Sequence, residues 1–76
     1  MNANQLYGII ATYDNTALNA QFAYTIDTSN NKMKYTITCY WKLRNVNGES
    51  SFKKYADAKI FFDGLPEVAR MEMNQK

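Results

Sequence analysis

The sequence predicts an α+β fold: an antiparallel three- or four-stranded sheet with one helix packed on one face. Three observations carry this. Residues 33–44 alternate without a break, with Met33, Tyr35, Ile37, Cys39, Trp41 and Leu43 set against Lys34, Thr36, Thr38, Tyr40, Lys42 and Arg44. Successive side chains of a strand point to opposite faces, so this run has one apolar face and one wet, basic face. The polar run DTSNNK at residues 27–32 separates it from a second alternating segment, as a hairpin loop would. From Tyr55 the period changes, and Ala58, Phe61, Phe62 and Leu65 form a helical stripe at i, i+3, i+4 and i+7.

Taken in order, residues 1–5 are polar and read as a frayed end. Residues 6–13 (LYGIIATY) fit either period, since Leu6, Ile9, Ile10 and Tyr13 have helical spacing and Tyr7, Ile9, Ala11 and Tyr13 alternate. Their β-branched and aromatic content, short length and internal Gly8 favour a strand. Asp14-Asn15 supplies a turn, and residues 16–20 read as a connection, with room for one helical turn.

Residues 21–27 alternate, with Phe22, Tyr24 and Ile26 on one face. Folding this segment back with Asp27 opposite Lys32 sets Ile26 against Met33, Tyr24 against Tyr35 and Phe22 against Ile37. A slip of one residue would scramble both faces. The long strand is expected over residues 33–46 and the next over 49–54, joined at Asn47-Gly48, the preferred pair for a two-residue type I′ turn. That register puts Leu43 opposite Phe52, Arg44 opposite Ser51, and Lys42 opposite Lys53.

The helix is expected over residues 55–64, with Asp57 in its first turn and Gly64 before Leu65-Pro66 as its stop. Residues 67–76 suit either a second short helix or a strand. Phe22, Tyr24, Ile26, Met33, Ile37, Trp41, Leu43, Phe52, Phe61 and Phe62 are the main core candidates.

A chain of 76 residues makes one small domain. A lone cysteine, Cys39, cannot form an internal disulfide, which fits a reducing, cytoplasmic setting. No leader or long apolar run is visible, so no membrane association is expected. Without histidine, and with acids scattered along the chain, neither a Cys–His pair, a zinc cluster, a calcium loop nor a carboxylate pair can be assembled. The expectation is therefore a non-enzymatic binding module with no cofactor and no metal.

The charge distribution indicates where it would bind. Net charge is only +2, yet within residues 32–59 Lys32, Lys34, Lys42, Arg44, Lys53, Lys54 and Lys59 oppose only Glu49 and Asp57, a balance of +5. Such clustering bears on partners more than on fold. Lysine and arginine neutralise phosphates and an exposed tyrosine stacks on bases. The leading expectation is nucleic-acid binding by Lys34, Tyr40, Lys42, Arg44, Lys53 and Lys54, on the basic sheet face and a protruding 42–53 hairpin.

In layout, the strand, hairpin and helix of residues 33–65 resemble the small sheet-plus-helix DNA-binding modules at the start of some integrases. The alternative is a protein-binding inhibitor or adaptor, of the phage or mobile-element accessory type, acting through the sheet face or edge. A homodimer built by edge-strand pairing is a third reading. A purely solvated lysine surface accounts for the same charges, since an antiparallel sheet covered on one side leaves the other wet.

Overall fold

The computed structural model describes residues 5–74; the four residues before them, read above as part of a frayed end, and the last two lie outside that range. The chain forms four strands, β1 (Gln5–Asp14), β2 (Leu18–Asp27), β3 (Lys32–Trp41) and β4 (Val46–Phe52), followed by helix α1 (Tyr55–Met73). The strands form one antiparallel meander in the order β1-β2-β3-β4, and α1 packs against it, an α+β architecture.

Two polar corners set the registers. Between β1 and β2, the Asn15 side chain accepts hydrogen bonds from the amides of Ala17 and Leu18, both at 2.8 Å. Between β2 and β3, Asp27 accepts from the Ser29 amide and hydroxyl, and Asn31 takes a left-handed backbone at φ 59°, which asparagine tolerates better than most residues. The β2–β3 pairing then follows the expected register rung for rung, from Asp27–Lys32 through Ile26–Met33 and Tyr24–Tyr35 to Phe22–Ile37. Beyond that point β2 continues back to Leu18, opposite Trp41. Residues 18–20, expected in a connection, are therefore strand.

The β3–β4 hairpin corrects the sequence reading. The strand expected over 33–46 stops at Trp41, which pairs with Val46. The turn is Lys42-Leu43-Arg44-Asn45, with Asn45 left-handed at φ 58°. Gly48 lies in mid-strand opposite Cys39, and Phe52 pairs with Tyr35 rather than Leu43. Both registers put odd residues of β3 opposite even residues of β4, so alternation could not separate them. Tertiary contacts do: the Lys42 amide donates to the Ala17 carbonyl at 2.8 Å, and Phe52 reaches the Phe61 ring at 5.5 Å. Lys42 and Lys53 consequently do not face each other. The expected protruding 42–53 ribbon is also absent, because Lys42 is bonded back to the β1–β2 corner. It is the β2–β3 hairpin that runs past the last rung of β4.

The helix expected to stop at residue 64 continues to Met73. Gly64 has no left-handed conformation, so it does not cap. Pro66 sits inside the helix and deprives the Phe62 carbonyl of its usual partner, a cost of ~3 kcal/mol. Leu65 and Ala69, on the stripe with Ala58 and Phe62, join the buried cluster with Ala17, Leu18 and Cys39. Extending the helix is what buries them, and that burial offsets the proline.

Registers and bulge together assign the faces. Toward the helix lie the rungs Leu18–Trp41–Val46, Tyr13–Ala20–Cys39–Gly48, Ala11–Phe22–Ile37–Ser50, Gly8–Tyr24–Tyr35–Phe52 and Leu6–Ile26–Met33. Phe22 stacks on Tyr55 at 5.8 Å and packs on Phe62 at 5.4 Å. The Tyr24 ring lies over Gly8: a Cβ there would be 2.5 Å from the end of that ring, so a larger residue would force Tyr24 to shift. Of the expected core, Phe22 and Ile37 are buried and Trp41, Phe52 and Phe62 partly so, whereas Met33, Leu43 and Phe61 are exposed. Leu18 and five alanines of the buried set, Ala17, Ala20, Ala23, Ala58 and Ala69, were not anticipated as core, apart from the place of Ala58 on the helical stripe.

Candidate nucleic-acid interface

The face away from the helix is built from the alternate residues. Its rungs are Asp14–Asn19–Tyr40–Asn47, Thr12–Gln21–Thr38–Glu49, Ile9–Ala23–Thr36–Ser51, Tyr7–Thr25–Lys34 and Gln5–Asp27–Lys32. Strand geometry puts Lys34 and Tyr40 six residues apart, roughly 20 Å, so the residues expected to act together fall into two groups at opposite ends of the sheet.

At the Tyr40 end, the charges are used by the fold. The Lys42 Nζ donates to Asp14 Oδ1 and to the Asn15 carbonyl, both at 2.8 Å. Arg44 Nη2 lies 2.8 Å from Glu72 Oε2, and the guanidinium is 5.2 Å from the centre of the Trp41 ring. Lys42 thus locks the β3–β4 turn to the β1–β2 corner, and Arg44 locks it to the end of α1. Asp14, accepting from Lys42 and Asn19, is held below the usual carboxylate range. The Tyr40 hydroxyl donates to Asn45 Oδ1 at 2.7 Å, which ties the ring to the turn.

At the other end, the cations are unspent. Lys32 and Lys34 occupy successive rungs of the wet face, and Lys53 continues β4 beside Lys34. An open depression of about 590 Å³ is lined there by Thr25, Asp27, Lys32, Lys34, Ser51 and Lys53, with Met33 and Phe52 at its apolar edge. Lys54, at the N-cap of α1, follows directly. Among the described residues no ion pair joins any of these four lysines to an acid. The one carboxylate in the depression, Asp27, is kept ionised by the Ser29 hydroxyl and then its amide.

Two residues that the sequence reading did not assign to the site belong to this end. Lys32 counted toward the basic stretch and as the partner of Asp27, but not toward the site. Tyr7 shares a rung with Lys34 through Thr25 and is 61% exposed, its hydroxyl accepting from Gln21 Nε2 at 2.6 Å. Of the two tyrosines on the wet face it, and not Tyr40, stands on a rung with one of the free lysines. Its place could not be read while residues 6–13 fitted two periods.

The depression can hold an anion with the three ammonium groups of Lys32, Lys34 and Lys53 and the hydroxyls of Thr25 and Ser51. Cys39 is buried and its thiol is pushed up by that burial, away from a reactive thiolate. Among the described residues no three His, Cys, Asp or Glu side chains converge as a metal site, and no helix is long and apolar enough to cross a membrane. Comparison of the chain with protein-family models, with curated proteins and with solved structures finds no match.

Proposed function

We propose that this chain is a non-enzymatic module that binds the phosphate backbone of a nucleic acid at one corner of its sheet. The observation that supports this is the convergence of Lys32, Lys34 and Lys53 around an open depression, with Lys54 next in the chain and, among the described residues, no ion pair from these lysines to an acid. Lysine serves as a point charge for phosphate, Thr25 and Ser51 add hydroxyl donors, and Tyr7 offers a ring face for a base. This set differs from the one the sequence indicated: Lys32, Tyr7, Thr25 and Ser51 enter it, Lys42 and Arg44 act as structural ties, and Tyr40 stands at the far end.

Fluorescence anisotropy of a labelled oligonucleotide, single-stranded and duplex, at several salt concentrations tests the reading. If four phosphates are engaged, log affinity falls against log salt with a slope of about −3 to −4. Replacing Lys34 and Lys53 together with alanine reduces that slope by about 2, and Lys59→Ala, on the helix and already paired with Asp63, leaves it unchanged. Absence of binding at low salt to either form would falsify the proposal.

A further inference from the structure

β1 departs from the pattern of the strands beside it. On β2 and β3 the face away from the helix is mostly polar, with Asn19, Gln21, Thr25, Lys34, Thr36 and Thr38. β1 carries apolar side chains on both faces: Leu6 on the helix side, Tyr7 and Ile9 on the other, and Ile10 as the extra residue of a bulge between Ile9 and Ala11. These four are 54%, 61%, 56% and 37% exposed. Folding of a lone chain gives no reason for this, because α1 packs on β2, β3 and β4 and leaves most of β1 uncovered.

β1 is also an open edge, ten residues long, with a free row of backbone donors and acceptors along its outer side. It contains no lysine, arginine or proline, and its single charge is Asp14 at the far end. The opposite edge, β4, is shorter, carries Glu49, and runs into Lys53 and Lys54. Charge, brevity and bulges all protect an edge from pairing. β4 has the first two; the Leu6–Ile10 limb of β1 has neither, and carries only the bulge at Ile10.

We infer that β1 pairs antiparallel with β1 of a second copy of this chain, joining two four-stranded sheets into one of eight. Three observations favour a copy over a different protein. The limb is uncharged, so two copies meet without opposing like charges. A self-pairing about a two-fold axis closes after two chains, leaving only the protected β4 edges outside. The core of one chain is also small: among the described residues, Leu18 and Ile37 are the largest side chains that are fully buried. A partner that completes burial must be present whenever the chain is made, and a second copy always is. The four side chains expose roughly 400 Å² at about 200 Å² each. Strand pairing covers the flanks of these side chains together with the strand backbone, so the interface lies at or below the small end for a specific dimer and assembles with concentration.

Light scattering behind size exclusion, over about two decades of concentration around micromolar, reads the outcome. The expected result is a shift from one chain mass to two and no further. Ile9→Lys, at a position exposed in the single chain, shifts the population back to one chain mass. Ile60→Lys, exposed on the helix, does not. Should Ile9→Lys fail to fold, amide exchange of the unaltered protein decides, because the seam protects β1 amides at high concentration and releases them on dilution. A single chain mass throughout, assembly beyond two copies, or β1 exchange independent of concentration overturns the inference.

Discussion

Where Leu18, Trp41 and Val46 share a rung, Lys42 and Arg44 are held by Asp14 and Glu72, and Asn15 reaches the Met73 sulfur at 3.6 Å. At the other end of the same strands, Lys32, Lys34 and Lys53 surround an open depression, and Leu6 and Met33 stay exposed beside Ile26. Basic residues at the first end join elements distant in sequence; those at the second join nothing. Their residue types do not distinguish them. What does is whether an acid from another element arrives at the same place, and Asp14 and Glu72 each lie 28 positions from the cation they hold.

The largest expected contrast lies in packing. Ile37 is fully buried under α1, so Ile37→Ala should cost about 2–5 kcal/mol through lost transfer energy and a residual cavity. Met33 is 41% exposed on the apolar rung farthest from the closed end, and Met33→Ala should cost less than about 1 kcal/mol, because most of its surface never left water. Urea unfolding measures both. Equal losses would mean that the open end is covered in solution.

A smaller effect separates the two possible β3–β4 turns. If Asn47-Gly48 formed a type I′ turn, Gly48→Ala would force alanine into a positive φ and destabilise the protein. In the structure Gly48 is strand, with no positive φ and nothing within 4 Å of an added Cβ. Gly48→Ala should therefore stabilise the protein by about 0.5–1 kcal/mol, mainly by restricting the unfolded chain. A fall in the unfolding midpoint would restore the turn that the sequence suggested.

This hairpin marks the limit of what the chain reveals by itself. The β2–β3 register was legible because its loop, DTSNNK, directly adjoins the alternating segments it joins. The β3–β4 register has two solutions of equal parity, and the choice is made by Ala17 and by the helix, neither of which is local. Helix α1 began where its period began. Its true end depends on the burial of Leu65 and Ala69, which outweighs the local stop signals at Gly64 and Pro66. The proposed basic site was legible as charge and not as geometry: Lys34 and Lys53 line one depression with Lys32, but Lys42 and Arg44 are recruited by acids whose approach only the folded chain defines. Tyr7 was hidden because β1 is apolar on both faces.

The subtlest contrast is in the carboxylates, one at each end. Asp14 is depressed chiefly by Lys42, across the fold, and then by Asn19; Asp27 is depressed by the hydroxyl and then the amide of Ser29, two residues along. In Lys42→Met, the Asp14 titration followed by NMR should move up toward 3.8, short of it because Asn19 still donates, while Asp27 stays in place. Ser29→Ala should do the reverse, with part of the Asp27 depression surviving through the backbone amide. A carboxyl depressed on folding adds stability above its unfolded pKa, and that contribution fades as pH falls through the folded value. Only a shift absent from the unfolded chain counts in this way. The Lys42 contact vanishes on unfolding, whereas an Asx turn within three residues can persist in a disordered chain. The acid sensitivity of the fold should therefore depend more on Asp14 than on Asp27. Lys42→Met should flatten the loss of stability between about pH 5 and pH 2 more than Ser29→Ala does, and an unchanged profile in Lys42→Met would show that this tie does not hold the closed end together.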